Sequence, residues 1–591
     1  MVSLAALAAG SPSLAQETIL LWGDTHVHTS YSVDAWSYGN FTVDADAAYR
    51  YAKGQPVLHP TTQQRIRIDR PLDFLVVADH AEMMQLQLRL SDRDPSWTAK
   101  PTADELIALM EDDPRRVFTE ITRIVNGGRQ DILADYNTPE LRQIPWLQQV
   151  ESADRHNDPG RFTTLIGWEW GPAPDGQNLH RVVFTDAEGE AARRFIPLGY
   201  YDTVRPEDLW AWLAETGDRI GADFVAIPHN SNLSGGKMFD RVDSDGRPLT
   251  AEYARERMRW EPVMEITQTK GTSETAPELS PEDEFADFEI RSVLLSGAAS
   301  PIDPGSYARS AMLRGLEVQE ETDTNPYMFG VIGSTDSHTG LVSVDESNHY
   351  GKLAVDTLPA QRVNPTGGGF NPWQTSASGL AAVWATSNTR EAIFQAFKRK
   401  EVYGTSGPRI AVRFFGGFDF EAADAGDLVQ TGYAKGVPMG GDLTQAPPDQ
   451  APGFVFQVDK DPVGANLDRV QIVKGWIDAD GNTQELVFDA ALSTHRTSPG
   501  DQDVVQPLAS TVDVATASFA NSTGYAQITG FWQDPEFDRS QAAFYYVRAL
   551  EIQTPRHQVY DAVALQINPE DTGYPVTIQE RAWSSAIWYT P

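Results

Sequence analysis

His26 and His28 are the first residues of this sequence whose types and spacing suit metal chemistry. If the apolar run that begins at Ile19 is a strand, alternate side chains share a face, so both imidazoles point the same way as Asp24. Two imidazoles that converge on one point suit a divalent first-row metal. A structural pair of histidines is about as frequent, so the hypothesis depends on further ligands.

Further His, Asp and Glu residues follow other short apolar runs. Asp79 and His80 end one run, and Glu169 ends another, with His180 further along the chain. His229 ends a third run, and an Asp-x-His pair follows a fourth. With Asp34, which lies in a predicted turn, the candidate metal ligands are His26, His28, Asp34, His80, Glu169, His180, His229, Asp336 and His338.

Nine candidate ligands exceed what one ion takes, since roughly four to six donors complete a mononuclear site. The set therefore predicts two or three divalent ions, and Glu169 is the natural bridging carboxylate. We interpret the other five histidines as surface or packing residues: His59, His156, His349, His495 and His557.

The elements that position these ligands are short apolar runs with the length of buried strands. Amphipathic stretches separate the runs between Thr18 and about Arg413, which predicts an α/β domain with a mainly parallel sheet. Functional residues in such folds lie at the carboxyl ends of the strands, and the candidate ligands stand at those positions. The runs cover residues 19–22, 74–78, 164–168, 224–228 and 328–333.

The length of 591 residues predicts more than one domain. After about Gly416, Gly and Pro are frequent and short alternating runs follow, so we expect a β-rich, sandwich-like C-terminal domain. We place a metal-hydrolase domain with insertions at residues 17–412 and the β-rich domain at residues 413–591.

The net charge of −36 argues against nucleic acid as a partner, because phosphate backbones recruit Lys and Arg. The chain has no cysteine, so thiolate zinc sites, disulfides and cysteine nucleophiles are excluded. No stretch approaches the roughly 20 apolar residues that span a bilayer. The oligomeric state is left open.

The N-terminal residues are typical of the end of a secretory signal peptide. A short apolar run is followed by Ser13-Leu14-Ala15, a small-x-small cleavage pattern, although the positive segment that normally comes first is missing. We therefore interpret residues 1–16 as a signal-peptide remnant and expect a periplasmic or secreted protein.

These motifs resemble the polymerase-and-histidinol-phosphatase (PHP) superfamily of metal-dependent phosphoesterases, and more closely a branch classed as a domain of unknown function. The resemblance implies a distorted (β/α)7 barrel that holds two or three Mn, Fe or Zn ions. Asp34 stands where the family often has a third histidine, which leans weakly towards Mn or Fe. Residues 268–274 and 402–409 extend the likeness to about residue 412. The motifs that carry it are Gly23-Asp24-Thr25-His26-Val27-His28-Thr29, Ala78-Asp79-His80, Glu169, His180, Pro228-His229-Asn230 and Asp336-Ser337-His338.

Clustered divalent ions generate hydroxide at neutral pH and neutralise a phosphoryl group. We therefore hypothesise in-line attack by a metal-bridging hydroxide on a phosphate ester of a small molecule. Lys270 and Arg409 are candidate clamps for negative charge, and Asn230 is a candidate for binding substrate. His229 or His338 could protonate the leaving oxygen if it is not fully committed to metal.

Two alternatives stay open at this point. The same metal site could hydrolyse another bond, such as a C–O, C–N or sulfate-ester bond, since a fold alone does not determine the reaction. The chain could also be an exported binding protein with structural metals, whose sites would be closed to water and substrate.

Overall fold

The computed structural model describes residues 17–125, 127–291, 293–294, 297–364, 371–494 and 505–591. The predicted signal-peptide remnant, residues 1–16, and His495 lie outside the described residues. The architecture is mixed α/β, with one large central sheet and smaller sheets beside it.

The longer strands, numbered in chain order, alternate with helices in the first two thirds of the chain and predominate in the last third. They are β1 Ile19–Val27, β2 Phe74–Val77, β3 Thr163–Trp170, β4 Arg181–Thr185, β5 Phe224–Pro228, β6 Val263–Gln268, β7 Gly330–Gly333, β8 Leu380–Ala385, β9 Val402–Thr405, β10 Ala411–Gly417, β11 Gly453–Asp459, β12 Leu467–Ile477, β13 Thr483–Leu492, β14 Gln527–Gln533, β15 Ala543–Glu551, β16 Arg581–Ser584 and β17 Ile587–Thr590.

The longer helices lie in the connections between strands and pack against the faces of the sheets. They are α1 Ala45–Ala52, α2 Ala103–Asp112, α3 Pro114–Val125, α4 Pro139–His156, α5 Pro206–Ile220, α6 Ala251–Trp260, α7 Ala308–Thr322, α8 Arg390–Lys398, α9 Leu428–Lys435 and α10 His557–Ala564. Within the described residues, no helix is long and apolar enough to cross a membrane.

The central sheet is mixed, whereas the sequence predicted a mainly parallel one. β1, β2 and β3 are parallel neighbours, but β4 runs antiparallel to both β3 and β5. Residues 171–180 connect β3 to β4, and a parallel crossover needs a dozen or more residues, so this connection permits only an antiparallel return. Two reversals restore the direction, and β5 runs the same way as β3.

β6 and β7 form a small separate sheet as a parallel pair. The segment that follows β7 joins this small sheet to the central sheet. Val27 and Ser337 form a parallel bridge, and the His28 N–H donates to the Ser337 carbonyl at 2.8 Å. The segment after β7 therefore reaches the carboxyl end of β1.

The last third of the chain is β-rich, as predicted, but it is not a separate sheet system. β16 pairs with β9, and β15 pairs with β16, so the central sheet continues across the predicted boundary at residue 412. A second sheet of β10, β11 and β14 faces this extension. Phe454 and Tyr545 pack between the two sheets with ring centroids 4.6 Å apart.

A buried ion cluster ties the C-terminal strands to the segment after β6. The Arg548 guanidinium on β15 contacts both oxygens of Asp283, at 2.7 and 2.8 Å, and Glu274 Oε1 at 3.1 Å. Arg309 on α7 contacts the same two carboxylates at 2.8 Å. Because both guanidiniums are fully buried, each charge depends on the others for compensation.

Replacing Arg548 with Ala removes one of the two guanidiniums that contact these buried carboxylates. We expect Arg548→Ala to lower the free energy of unfolding by about 3–5 kcal/mol, as removal of one buried partner typically does. The exposed pair of Arg116 and Asp112 provides the control, since Arg116→Ala should cost less than about 1 kcal/mol. Urea unfolding measures both, and equal effects would contradict this role of the cluster.

Candidate metal centre

The candidate ligands come together because four strands end at one edge of the central sheet. β1, β2, β3 and β5 run in the same direction, so their carboxyl ends lie side by side. β4 runs the other way and begins at this edge, which brings His180 there, one residue before the strand. Because β4 pairs antiparallel with its neighbours, His180, which precedes a strand, lies beside ligands that follow strands.

Glu169 is buried between two sets of imidazoles. One carboxylate oxygen faces three histidines and the other faces two, and the side chain is only 2% exposed. Glu169 Oε2 lies 3.0 Å from His28 Nε2 and 3.4 Å from the Nε2 atoms of His26 and His80, while Oε1 lies 2.6 Å from His180 Nδ1 and 2.8 Å from His229 Nε2. This is the position that a bridging carboxylate needs.

Asp336 and His338 approach the same cluster from the segment after β7. Asp336 Oδ1 lies 3.5 Å from the Nε2 atoms of both His26 and His28. His338 Nε2 lies 2.7 Å from Asp34 Oδ2, and this oxygen is 3.4 Å from His80 Nε2. Asp34 therefore belongs to the cluster of candidate ligands and is not merely an acid in an isolated turn.

The arrangement suits more than one metal ion. Several overlapping trios have donor atoms within 4.8 Å of one another, and together they include all nine predicted ligands. His180 Nε2 and His229 Nδ1 are buried without a hydrogen-bond partner. The trios are His26, His28 and Glu169; His26, His229 and Glu265; His28, Asp34 and His80; His28, Asp336 and His338; and His80, Glu169 and His180.

Glu265 is a candidate ligand that the sequence analysis missed. Its Oε2 lies 3.0 Å from His26 Nδ1, and its Oε1 is buried without a partner. It lies in the interior of β6, whereas the predicted ligands lie next to strand ends. A single acid within the fully buried strand Val263–Gln268 is the signal that could have identified it.

The pKa values of the histidines shift in different directions in this environment. Burial lowers the pKa of His180 to about 3 and that of His338 to about 4, and it lowers the pKa of His229 as well. Burial also opposes the charge of His26, but the Asp336 and Glu265 carboxylates outweigh it and raise the pKa to about 10. Burial therefore favours the neutral form of His229 and His338, which is the form in which an imidazole binds a metal ion.

Two lysines supply positive charge beside Asp336. Lys270 Nζ and Lys352 Nζ each lie 2.8 Å from Asp336 Oδ2, and both side chains are buried. Lys352 Nζ also lies 3.1 Å from His338 Nδ1, and burial lowers the pKa of this ammonium to about 8. The sequence analysis predicted Lys270 but missed Lys352, which no motif marks.

Asn230 and Arg409 differ in where the structure places them. Asn230 adopts a left-handed backbone at the end of β5, and its side-chain Nδ2 is buried without a partner. The Arg409 guanidinium donates to the carbonyls of Arg70 and Pro71, at 2.8 and 2.9 Å. These carbonyls precede β2, at the opposite end of that strand from Asp79, so Arg409 is not brought to the cluster.

Asp24 and Asp79 hold the ligand-bearing segments in place. Asp79 accepts hydrogen bonds from the Thr29 N–H and hydroxyl at 2.6 and 2.7 Å. Asp24 accepts from the His26 N–H at 2.9 Å and from the Thr335 hydroxyl. Burial raises the pKa of Asp79 to about 6 and that of Asp24 to about 7. Asp24 thus accepts hydrogen bonds from backbone and hydroxyl groups. The alternation of side chains along β1 had predicted that Asp24 shares a face with the ligands His26 and His28.

Comparison with known proteins assigns the chain to a family. The family model described as "Protein of unknown function (DUF3604)" matches residues 15–591. The chain belongs to the DUF3604 family. The match includes the C-terminal strands, beyond the resemblance to about residue 412 that the sequence motifs carried. No curated protein matches the sequence.

The chain is also similar to a solved structure. It is a two-domain protein from Bacteroides vulgatus that contains a predicted PHP-like metal-dependent phosphoesterase. The identity is 9% and the TM-score is 0.28, over 92% of this DUF3604 chain and 94% of the other chain.

Gly171 of this DUF3604 protein has no side chain, and the His80 imidazole occupies the space where a Cβ would lie. A Cβ at Gly171 would lie 2.7 Å from His80 Nδ1, so Gly171→Ala must displace the imidazole. We expect metal affinity to fall about 10-fold to 100-fold, the range found when ligand orientation is disturbed. Gly426→Ala is the control, because no atom lies within 4 Å of its Cβ. Metal titration compares them, and unchanged affinity in Gly171→Ala would contradict this steric role.

Proposed function

We propose that this DUF3604 protein is a metal-dependent phosphoesterase that acts on a small-molecule phosphate ester. The observation that carries the proposal is the position of Glu169, whose two oxygens face separate sets of histidines. A buried carboxylate shared between imidazole sets is the donor arrangement of a multinuclear centre, and such centres typically serve hydrolysis of phosphate esters.

The proposal includes a closed barrel of the (β/α)7 type. Its support is that β5 contacts β6 and β7 contacts β9, so that the small β6–β7 sheet lies between β5 and β9 of the central sheet. Residues at the carboxyl ends of all these strands then surround one opening, as active sites do in related barrels.

The proposed cofactors are two or three divalent ions, of Mn, Fe or Zn. When bound, such ions lower the pKa of a coordinated water and offset the charge of a phosphoryl group. The residues that would hold them are the nine predicted ligands together with Glu265. The Asp34 carboxylate, in the place where a histidine is frequent, leans towards Mn or Fe.

The protein's own polar groups define the rest of the proposed mechanism. Lys270 and Lys352 place two ammonium groups beside Asp336, where they can contact phosphoryl oxygens. The unpartnered Nδ2 of Asn230 is a further donor for a substrate oxygen. Lys352 joins His229 and His338 as a candidate for proton donation to the leaving oxygen, because its Nζ lies within the cluster, 3.1 Å from His338 Nδ1.

We also propose that the protein is exported to the periplasm or secreted. The support is the apolar run and the small-x-small pattern at Ser13-Leu14-Ala15. A centre without cysteine ligands is compatible with an oxidising compartment, where free thiols are vulnerable.

Removing a central ligand tests the metal dependence. We expect His26→Ala and His338→Ala each to abolish activity and to lower the bound metal, because each histidine belongs to at least one trio of candidate ligands. His156→Ala is the matched control, since this histidine pairs with Asp46 outside the cluster. Elemental analysis measures the metal. A panel of phosphomonoesters, phosphodiesters and sulfate esters measures the reaction. Full activity with unchanged metal content would refute the proposal, and turnover of sulfate esters alone would favour another bond.

Replacing Lys270 or Lys352 with Met removes one positive charge and keeps the apolar stem. We expect kcat to fall about 10²-fold to 10³-fold, as loss of one donor to developing negative charge typically does, while metal content stays unchanged. Lys53→Met is the control, because Lys53 donates to the His156 carbonyl outside the cluster. Steady-state kinetics with elemental analysis tests this, and wild-type kcat in both lysine variants would remove them from the mechanism.

A further inference from the structure

The outer nitrogen of the His80 imidazole faces Glu82, a buried glutamate outside the set of candidate ligands. His80 directs Nε2 towards Asp34 and Glu169, at 3.4 Å from an oxygen of each carboxylate. Its Nδ1 lies 3.5 Å from Glu82 Oε2. Both of these atoms are buried, and neither has a hydrogen-bond partner. An unpartnered acceptor beside an unpartnered ring nitrogen indicates a contact that becomes a hydrogen bond when the two atoms approach by a few tenths of an ångström.

The other oxygen of Glu82 is held by the backbone. Glu82 Oε1 accepts from the Tyr200 N–H at 2.5 Å and from the Gly171 N–H at 3.4 Å, and the side chain is only 3% exposed. Gly199 also borders this oxygen, since a Cβ there would lie 3.3 Å from Oε1. These contacts hold the carboxylate in an orientation in which Oε2 faces His80.

Burial makes a donor for Glu82 Oε2 necessary. A carboxylate that leaves water loses its hydration, and the loss is costly unless donors or cations replace the water molecules. Among the described residues, His80 is the only side chain within ion-pair distance of Glu82. The Nδ1–H of His80 is thus the group that can satisfy this oxygen.

Two other imidazoles of the cluster already show the arrangement that this contact would complete. His26 Nδ1 lies 3.0 Å from Glu265 Oε2, and His28 Nδ1 lies 3.1 Å from the Ser32 hydroxyl. Because the Ser32 hydroxyl donates its own proton to Asp34, its oxygen accepts from His28. A ring that donates through Nδ1 leaves the lone pair of Nε2 for a metal ion.

We propose that Glu82 is a positioning residue of the metal centre, which accepts the Nδ1–H of His80 and so directs the Nε2 lone pair of this ring towards the ions. His80 belongs to two of the trios of candidate ligands, so its orientation affects donors that neighbouring ions would share. A carboxylate at the outer nitrogen also makes the imidazole a stronger donor to a metal ion. This role rests on the proposed metal centre, but it does not depend on which ester the centre hydrolyses.

Glu82→Gln tests this role, because glutamine keeps the size of the side chain. Its amide oxygen can accept from the Tyr200 and Gly171 N–H groups, which places its NH2 group against His80 Nδ1. The reverse orientation would set the NH2 group against two backbone N–H groups. A ring that faces an NH2 group carries its own proton on Nε2, where the proton blocks metal binding. We therefore expect the affinity for Mn²⁺ to fall about 10-fold to 100-fold, measured by calorimetric titration of the full-length protein.

Thermal unfolding of the metal-free proteins separates positioning from a merely structural role. Metal-free Glu82→Gln should unfold at the same temperature as the metal-free wild type, because the backbone contacts of Oε1 are kept. Glu401→Gln is the matched control, since Glu401 is a similarly buried glutamate that bonds to Tyr433 outside the cluster, and it should bind Mn²⁺ as the wild type does.

The possible failures of this experiment differ from one another. Wild-type affinity in Glu82→Gln would overturn the role of Glu82 and leave the metal centre intact. A lower unfolding temperature of the metal-free variant would make Glu82 a structural residue instead and would also overturn the proposal. A wild-type protein that binds no Mn²⁺ would overturn both this role and the proposed metal centre.

A crystal structure of the wild-type protein with Mn²⁺ provides a measurement that needs no variant. We expect Glu82 Oε2 to lie within about 3.2 Å of His80 Nδ1, with Nε2 of the same ring bound to an ion. Direct coordination of an ion by Glu82 would overturn the proposal, and so would an Oε2–Nδ1 separation that stays beyond hydrogen-bond range.

Discussion

The buried carboxylate of Glu169 is the constraint on which the rest of this site depends. An ionised carboxylate in a protein interior is costly unless charges or donors surround it. Here five imidazoles converge on its two oxygens, and they lie within β1 or next to the ends of β1, β2, β4 and β5. The ends of these strands must therefore meet at one edge in a fixed register, since displacement of one strand would remove part of the compensation of the carboxylate.

A centre of this kind needs a rigid surrounding, and the C-terminal strands provide part of it. They extend the central sheet through β9 and β16, next to β8 and β1. Arg548 on β15 also fixes Glu274, four residues after Lys270. The segment that carries a proposed phosphate contact is thus anchored to the last third of the chain.

The proposed anionic substrate requires positive charge within an acidic protein. The chain carries a net charge of −36, and its surface repels phosphate at long range. Lys270 and Lys352 offset part of this negative charge beside Asp336, and the proposed divalent ions would offset the rest. Selectivity for an anion then depends on the interior of the site, where screening by salt is weak.

The sequence by itself determined the α/β class, the β-rich last third and the set of nine candidate ligands. It could do so because hydrophobic runs identify buried strands, and polar residues that end such runs stand out locally. The tertiary structure alone decided that β4 runs antiparallel, that Glu265 and Lys352 join the cluster, and that Arg409 lies at the far end of β2. It also placed His349 beside His557, residues separated by two hundred positions. These features depend on strand order and on contacts between distant segments, which local patterns do not encode.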